Sequence, residues 1–283
     1  MNQAAALKKL QATELEILRV IRDFCAEHDI TWFIDGGTLL GALRHGGFIP
    51  WDDDIDIGMP REDYERFVAL AKEGLPEGYS YHDSSNTPGY AAFFGNVWKD
   101  GTSFLTDESR EAGCPQGIYV DVFPYDFMAA DEKRRKRQVS NARLWQSASY
   151  LYHAKTINVP HKGLLGTLER GGCRVAHYLV RSLAREETIR GHFENSLLRP
   201  NETSSGACLT LGWPNMKPVP LSRLVPTSST SFEGESFPAP GDAAFFLENT
   251  YGDWQVIPKP EDRHTHLPKY LDFGDGTSWS SEG

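Results

Sequence analysis

Few of the features that mark specialised protein classes are present. The 283 residues include only four cysteines, Cys25, Cys114, Cys173 and Cys208, widely scattered and without a CxxC pair. That spacing excludes a zinc knuckle and a dense disulfide framework, and four buried free thiols are expected. No run approaches the roughly 18 unbroken apolar residues of a membrane span. The first 18 residues carry charges where a secretory leader needs its apolar run, so a cytoplasmic protein is expected and the sequon Asn201-Glu202-Thr203 carries no meaning. There is no internal repeat. Basic residues are also short, 29 Lys and Arg against 39 Asp and Glu for a net charge of −10, which argues against a dedicated nucleic-acid binder. One local absence runs the other way. From Lys133 to Leu168 there is no acidic side chain, and residues 131–190 hold 13 basic against 5 acidic residues, a local +8 that leaves −18 on the rest.

What is present is an ordinary globular composition, 40% hydrophobic and 24% charged, long enough for one or two domains. Residues 6–28 have helical spacing, with Leu7, Leu10, Ile17, Leu18, Ile21, Phe24 and Cys25 on one face. A short strand, Trp32-Phe33-Ile34, stops at Asp35-Gly36-Gly37, and Thr38–Leu43 predicts one or two helical turns. Asp54-Ile55-Asp56-Ile57 alternates as a strand, and the helical period resumes from Arg61 to Lys72. A strand pair is expected around Ala91–Trp98 and Gly117–Phe123, with Asp100-Gly101 as a turn. Residues 131–198 read as basic and helical, broken near Asn158-Val159-Pro160. Residues 200–283 are rich in Pro, Gly and Ser.

Trp51-Asp52-Asp53-Asp54-Ile55-Asp56-Ile57 is the densest chemical feature. On a strand, Asp54 and Asp56 project to one face while Ile55 and Ile57 enter the core. Neighbouring carboxylates repel, and a hard cation such as Mg²⁺ or Mn²⁺ relieves them. An EF-hand is excluded, because Ile57 stands where that loop needs Gly and Asp63 where it needs Glu. Upstream, Gly36-Gly37-Thr38 lets backbone approach a phosphate at a helix N-terminus, although no Walker GK[ST] follows. Asp121, alone in the apolar run Ile118–Phe123, needs either an arginine or a metal ion. Arg44 and His45 follow the phosphate turn and either contact phosphate or lie on the surface. His264 and His266 either flank a ligand or are structural.

The stretch Asp35–His45 followed by Gly47–Ile57 resembles the signature of the LicD family of phosphocholine transferases, to which fukutin and fukutin-related protein are related. Val120–Pro124 and Tyr251–His266 resemble later elements of that family, and the basic middle matches least. The resemblance implies an α+β fold: a nucleotidyltransferase-like mixed sheet with flanking helices, residues 1–130 forming the core, 131–198 a basic helical insertion, and 199–283 completing the core. It implies that Gly36, Gly37 and Thr38 hold phosphate, and that Asp54, Asp56 and Asp121 bind one or two Mg²⁺. It further implies transfer of a phosphocholine or similar phospho-alcohol group from a CDP-linked donor such as CDP-choline. The implied acceptor is a glycan of teichoic acid or lipopolysaccharide type, lipid-linked at the inner membrane face. Where the family often has a basic residue, this chain reads Asn96-Val97-Trp98-Lys99, with Lys99 as the possible substitute.

Phosphoryl transfer requires mainly positioning and charge neutralisation, and Asp121 is a candidate to take the acceptor proton. A choline head calls for aromatic rings, and Trp51, Trp98, Tyr119 and Tyr125 lie near the motifs. Lys133–Arg137, with Leu144, Trp145 and Tyr152, is either a solvated basic helix or a contact to anionic lipid. Two rival functions remain, a DxD glycosyltransferase and an inactive glycan- or choline-binding relative. The Gly-Gly-Thr turn and the isolated Asp121 count against the first, and the complete set of three aspartates counts against the second.

Overall fold

The computed structural model describes residues 1–155, 163–199, 201–263, 265 and 267–281. Its first element, α1 (Gln3–Glu27), follows the apolar spacing: Leu10, Ile17, Leu18 and Ile21 are fully buried. Asn2 caps it, accepting the Ala5 N–H at 2.9 Å. Then come β1 (Phe33–Ile34), α2 (Gly36–His45), β2 (Asp56–Pro60) and α3 (Arg61–Glu73), in the expected order. They are followed by β3 (Tyr79–His82), β4 (Gly95–Lys99), β5 (Ser103–Leu105), α4 (Asp107–Ala112) and the long β6 (Ile118–Ala129). The expected pairing of the 91–98 and 117–123 regions forms between β4 and β6, although β5 and α4 intervene in the chain.

The central sheet has the order β1-β2-β6-β4-β3. β2 and β6 run parallel and the other neighbours antiparallel, so this is the mixed sheet of an α+β protein. β6 alternates as a half-buried strand should, with Ile118, Val120 and Val122 fully buried and Tyr119, Asp121 and Phe123 on the opposite face. Its far end leaves the central sheet to pair with β7 (Ser204–Leu209), which pairs with β8 (Val219–Pro220).

Between β6 and β7 lie α5 (Glu132–His153), α6 (Gly163–Leu183) and α7 (Glu186–Glu194), so 131–198 is helical as expected. The break expected at 158–160 lies outside the described residues. α5 turns polar side chains inward. Gln138 donates to Phe127 O (3.0 Å) and accepts from Ala129 N (3.1 Å), Gln146 donates to Gly212 O (2.9 Å), and Ser149 donates to Ala91 O (2.7 Å). These bonds to main-chain groups fasten the helix without an apolar stripe.

The chain ends with α8 (Leu221–Leu224), the hairpin β9 (Ser228–Phe232) and β10 (Glu235–Ala239), then α9 (Ala243–Tyr251), β11 (Tyr270–Asp272) and β12 (Ser278–Ser280). β11 joins β5 on one side and β12 on the other, tying the C-terminal segment to the first half of the chain. All four cysteines are free, but the expectation that all are buried fails at Cys173, which is partly open on α6. No helix of the described residues is long and apolar enough to cross a membrane.

One ion pair anchors this frame. Arg61, at the start of α3, meets the 2%-exposed Asp126 of β6 at 2.6 Å, and the other Asp126 oxygen accepts the Leu211 N–H at 3.2 Å. Asp126→Ala leaves a guanidinium unpaired in the interior and is expected to cost about 3–5 kcal/mol in denaturant unfolding.

Candidate active site

The site is assembled where β1 ends and where β2 and β6 begin. Asp35 follows β1 and caps α2, one carboxylate oxygen accepting the Gly36 N–H at 2.7 Å and the other the Tyr125 hydroxyl at 2.7 Å. Burial pushes the Asp35 carboxyl up to about 6, against the pull of these two bonds. Gly36 has φ of +49°, a left-handed conformation that suits glycine. A Cβ there would lie 2.7 Å from Asp56 Oδ2, and a Cβ on Gly37 would lie 2.8 Å from Asp52 Oδ2. The two glycines therefore let the N-terminus of α2 come close against carboxylates. Thr38 is buried, and its hydroxyl oxygen accepts the Asp56 N–H at 2.9 Å. It fastens α2 to β2, and its oxygen is already engaged in that role.

Asp56 and Asp121 are register partners on the parallel strands β2 and β6, so their side chains leave the sheet on the same face. Asp54 precedes β2 rather than lying within it, but the alternation continues backwards. Asp52, Asp54 and Asp56 are half-buried, while Asp53, Ile55 and Ile57 are buried. The same-face pairing expected for Asp54 and Asp56 thus extends to Asp52. Burial raises the Asp56 and Asp121 carboxyls well above the usual range, and the charge of Asp54 adds to both. The Asp52 carboxyl is pushed up to about 8 by burial and by Asp54 and Asp53, with Arg44 opposing. Asn96, opposite Asp121 on β4, donates to Asp121 Oδ1 and accepts the Tyr90 hydroxyl, which holds that carboxylate in place.

A further carboxylate comes from α1. Glu14 is 2% exposed, its Oε2 has no hydrogen-bond partner, and burial followed by Asp54, Asp53, Asp52 and Asp121 pushes its carboxyl well up. Sequence reasoning passes over Glu14, and it names Asp52 within the acidic run without making it a ligand. The signal for Glu14 is its place four residues after Leu10 and four before Leu18, an acid on the apolar face of α1.

Arg44 donates to the carbonyls of Trp254 (2.9 Å) and Val256 (3.3 Å), binding α2 to the C-terminal segment close to Asp52. His45 packs edge-on against Trp51, and burial and Arg44 both lower its pKa. Arg263 lies over the Trp51 ring at 4.2 Å and Thr265 donates to Trp51 O at 2.9 Å. His264 and His266 lie outside the described residues. Lys99 is on the opposite sheet face from Asp121, register-paired with Ile118 and bonded to Glu16 at 2.5 Å. It does not stand in for the family's basic residue at this site.

Beside Asp121 opens a cavity of about 780 Å³. Tyr90, Phe94, Tyr119, Tyr150 and Trp213 supply its rings, Asp121 and Glu108 its charges, and none of the described residues lining it is Lys or Arg. Of the four rings expected from the sequence only Tyr119 lines it. Trp98 is buried under His82, Tyr125 bonds Asp35, and Trp51 lies beneath Arg263. Sequence proximity is a partial guide, because α5 and Trp213 and Asn215, distant in sequence, complete a wall begun by residues 89–121. His153 on α5 lines it too, with its pKa lowered to about 4 by burial and then by Arg181. Between pH 6.5 and 4 the unfolded chain therefore takes up a proton that the folded chain refuses, and stability falls as pH falls. His153→Phe is expected to flatten that acid limb by up to about 3 kcal/mol, read from denaturant midpoints across this range.

The donor set fits a hard cation in kind, since it is all carboxylate, crowded and mutually repelling. Among the described residues, however, no three His, Cys, Asp or Glu side chains form a ready-made metal site.

Residues 29–166 match the model of the LicD/FKTN/FKRP nucleotidyltransferase domain. This is a LicD-family domain. The chain is 27% identical over 271 residues, 92% of its length and 95% of the relative's, to the lipopolysaccharide cholinephosphotransferase LicD of Haemophilus influenzae. A shorter segment of 34 residues, 12% of this chain and 7% of the relative, is 53% identical to the human ribitol 5-phosphate transferase FKRP. The LicD-family domain and the similarity along nearly the whole chain to LicD support a transferase of phospho-alcohol groups.

Proposed function

We propose that this chain transfers phosphocholine from CDP-choline to a hydroxyl of a lipid-linked cell-surface glycan, with Mg²⁺ or Mn²⁺ as cofactor. The observation that carries the choice of alcohol is the cavity beside Asp121. Five aromatic rings and two carboxylates, with no Lys or Arg among the described residues lining it, suit a quaternary ammonium ion better than an anion. A polyol such as ribitol, which a relative's name specifies, would draw on the cavity's polar groups, among them Gln116, Ser147 and Asn215, and leave the rings without a cation to contact.

In this reading Asp54, Asp56 and Asp121 hold the cation, assisted by Asp52 and Glu14. The bound cation neutralises charge on the phosphate oxygens. Gly36, Gly37 and Thr38 bring the positive end of α2 to the same place, where Gly37 and Thr38 amides face the diphosphate. Arg44 and His45, in the last turn of α2, hold the C-terminal segment and Trp51 against the helix. The acceptor oxygen bonds to the phosphorus that bears choline, the bridging P–O bond breaks, and CMP departs with the electron pair. The acceptor proton passes to the Asp121 carboxylate, held by Asn96.

The test is release of CMP from CDP-choline by the purified chain in Mg²⁺ with a glycan acceptor. CDP-ribitol and a nucleotide sugar serve as comparison donors. The reading expects CDP-choline to be turned over at least tenfold faster than either. Turnover of the nucleotide sugar alone would support the DxD glycosyltransferase instead. Tyr150→Ala is expected to raise KM for CDP-choline about tenfold, the scale of one lost cation–π contact, with a smaller effect on CDP-ribitol.

A further inference from the structure

α6 presents an apolar face that the described residues leave open. Leu168, Val175, Tyr178, Leu179 and Leu183 are 54–82% exposed, five of the eleven large apolar side chains exposed among the described residues. At the helical repeat, Leu168, Val175 and Leu179 fall within about 40° of one another, with Tyr178 and Leu183 on either side. The helix meets the body along its opposite edge, where the buried His177 bonds the Leu151 carbonyl at 2.7 Å. Arg170, Arg174 and Arg181 form a second row between the body-facing His177 and Tyr178, within a similar arc. An apolar stripe edged with arginine is the form of a helix that lies in a bilayer interface.

Charge selects the occupant. The helical module 131–190 carries +8 and the remainder −18, so an anionic bilayer attracts the module and turns the acidic body outward. A symmetric contact with a second copy would set the same arginines against each other. In the Lys133–Arg137 cluster, the candidate from sequence, Arg134 and Arg135 are engaged within the fold while Lys133, Lys136 and Arg137 are exposed. Arg134 pairs with Glu202 at 2.7 Å, Arg135 bonds the Ala129 carbonyl at 3.1 Å, and Lys136 pairs with Glu132 at 2.6 Å. Trp145 is stacked on His192 and Tyr152 lies under Arg181.

We infer that α6 docks the protein on anionic membrane through Leu168, Val175, Tyr178, Leu179 and Leu183, with Arg170 and Arg174 reaching the lipid phosphates. The test is co-sedimentation of the full chain with vesicles of phosphatidylglycerol and phosphatidylethanolamine, and with phosphatidylcholine vesicles as the uncharged control. Binding to the anionic vesicles alone is expected, weakening with salt. It should fall at least tenfold in Val175→Glu/Leu179→Glu and in Arg170→Glu/Arg174→Glu, with unchanged melting temperatures confirming the fold. Absence of binding by the natural chain, equal binding by the variants, or equal binding to phosphatidylcholine would overturn the inference. So would a dimer that the Val175→Glu/Leu179→Glu pair dissolves while vesicle binding is absent.

Discussion

Asp56→Asn is expected to lower the rate of CMP release by about 10³-fold or more while raising the melting temperature of the metal-free protein. The two effects have one cause. Asp56 sits on the face of β2 that meets Asp121 in register, and its carboxyl is raised by burial and by Asp54, Asp121, Asp35 and Asp52. Holding that charge destabilises the fold, so the neutral isostere relieves it, at roughly 2–4 °C per kcal/mol for a chain of this length. In catalysis the same charge helps hold the cation that neutralises the phosphates, a contribution of several kcal/mol, and about 4 kcal/mol corresponds to 10³ in rate. A structural aspartate would behave in the opposite way, as Asp126 does beside Arg61. Rates measured with CDP-choline and melts measured in EDTA check both halves on one preparation.

Glu14→Gln should weaken Mg²⁺ binding about tenfold and likewise stabilise the metal-free chain. Glu14 reaches the carboxylates from α1, its Oε2 buried without a hydrogen-bond donor. A buried acid without a donor is unfavourable unless it serves a cation, directly or through water. Residues that support a metal site from the next layer commonly change affinity 10–100-fold. Gln keeps the volume and removes the charge, so packing of α1 is preserved. Calorimetric titration of Mg²⁺ into both proteins, beside their unfolding curves in EDTA, reads both effects. Unchanged affinity with lowered stability would make Glu14 a packing residue.

The candidate site segment is legible because its physics is local. Gly36-Gly37 and the Asp54-x-Asp56 alternation are short-range patterns, and Asp121 stood out as a lone acid in an apolar strand. Asp52 and Glu14 obey the same periodicities, and Asp52 belongs to the acidic run that the sequence singles out. Glu14 was hidden in a helix read for its apolar residues. The cavity was not legible. Its wall joins Tyr90, Tyr119, Tyr150 and Trp213, which come together only when α5 packs, and α5 packs through Gln138, Gln146 and Ser149 rather than through an apolar stripe. The strands of the second half were hidden for a related reason, since Ser228–Phe232 reads Ser-Ser-Thr-Ser-Phe and has almost no apolar alternation. The fold class follows from the resemblance of the first 130 residues, and the β5–β11 pairing that ties the C-terminal segment to that half has no such signal.

The central claim is that the Asp54, Asp56 and Asp121 carboxylates are a cation site for a nucleotide-linked donor. Electron paramagnetic resonance of Mn²⁺ titrated with the purified chain, with and without CDP-choline, tests it most directly. The natural chain should quench the free Mn²⁺ signal at a fixed stoichiometry and more tightly when CDP-choline is present. The Asp54→Asn/Asp56→Asn variant should leave the signal close to that of Mn²⁺ with CDP-choline alone. Equal quenching by the variant and the natural chain would contradict the account.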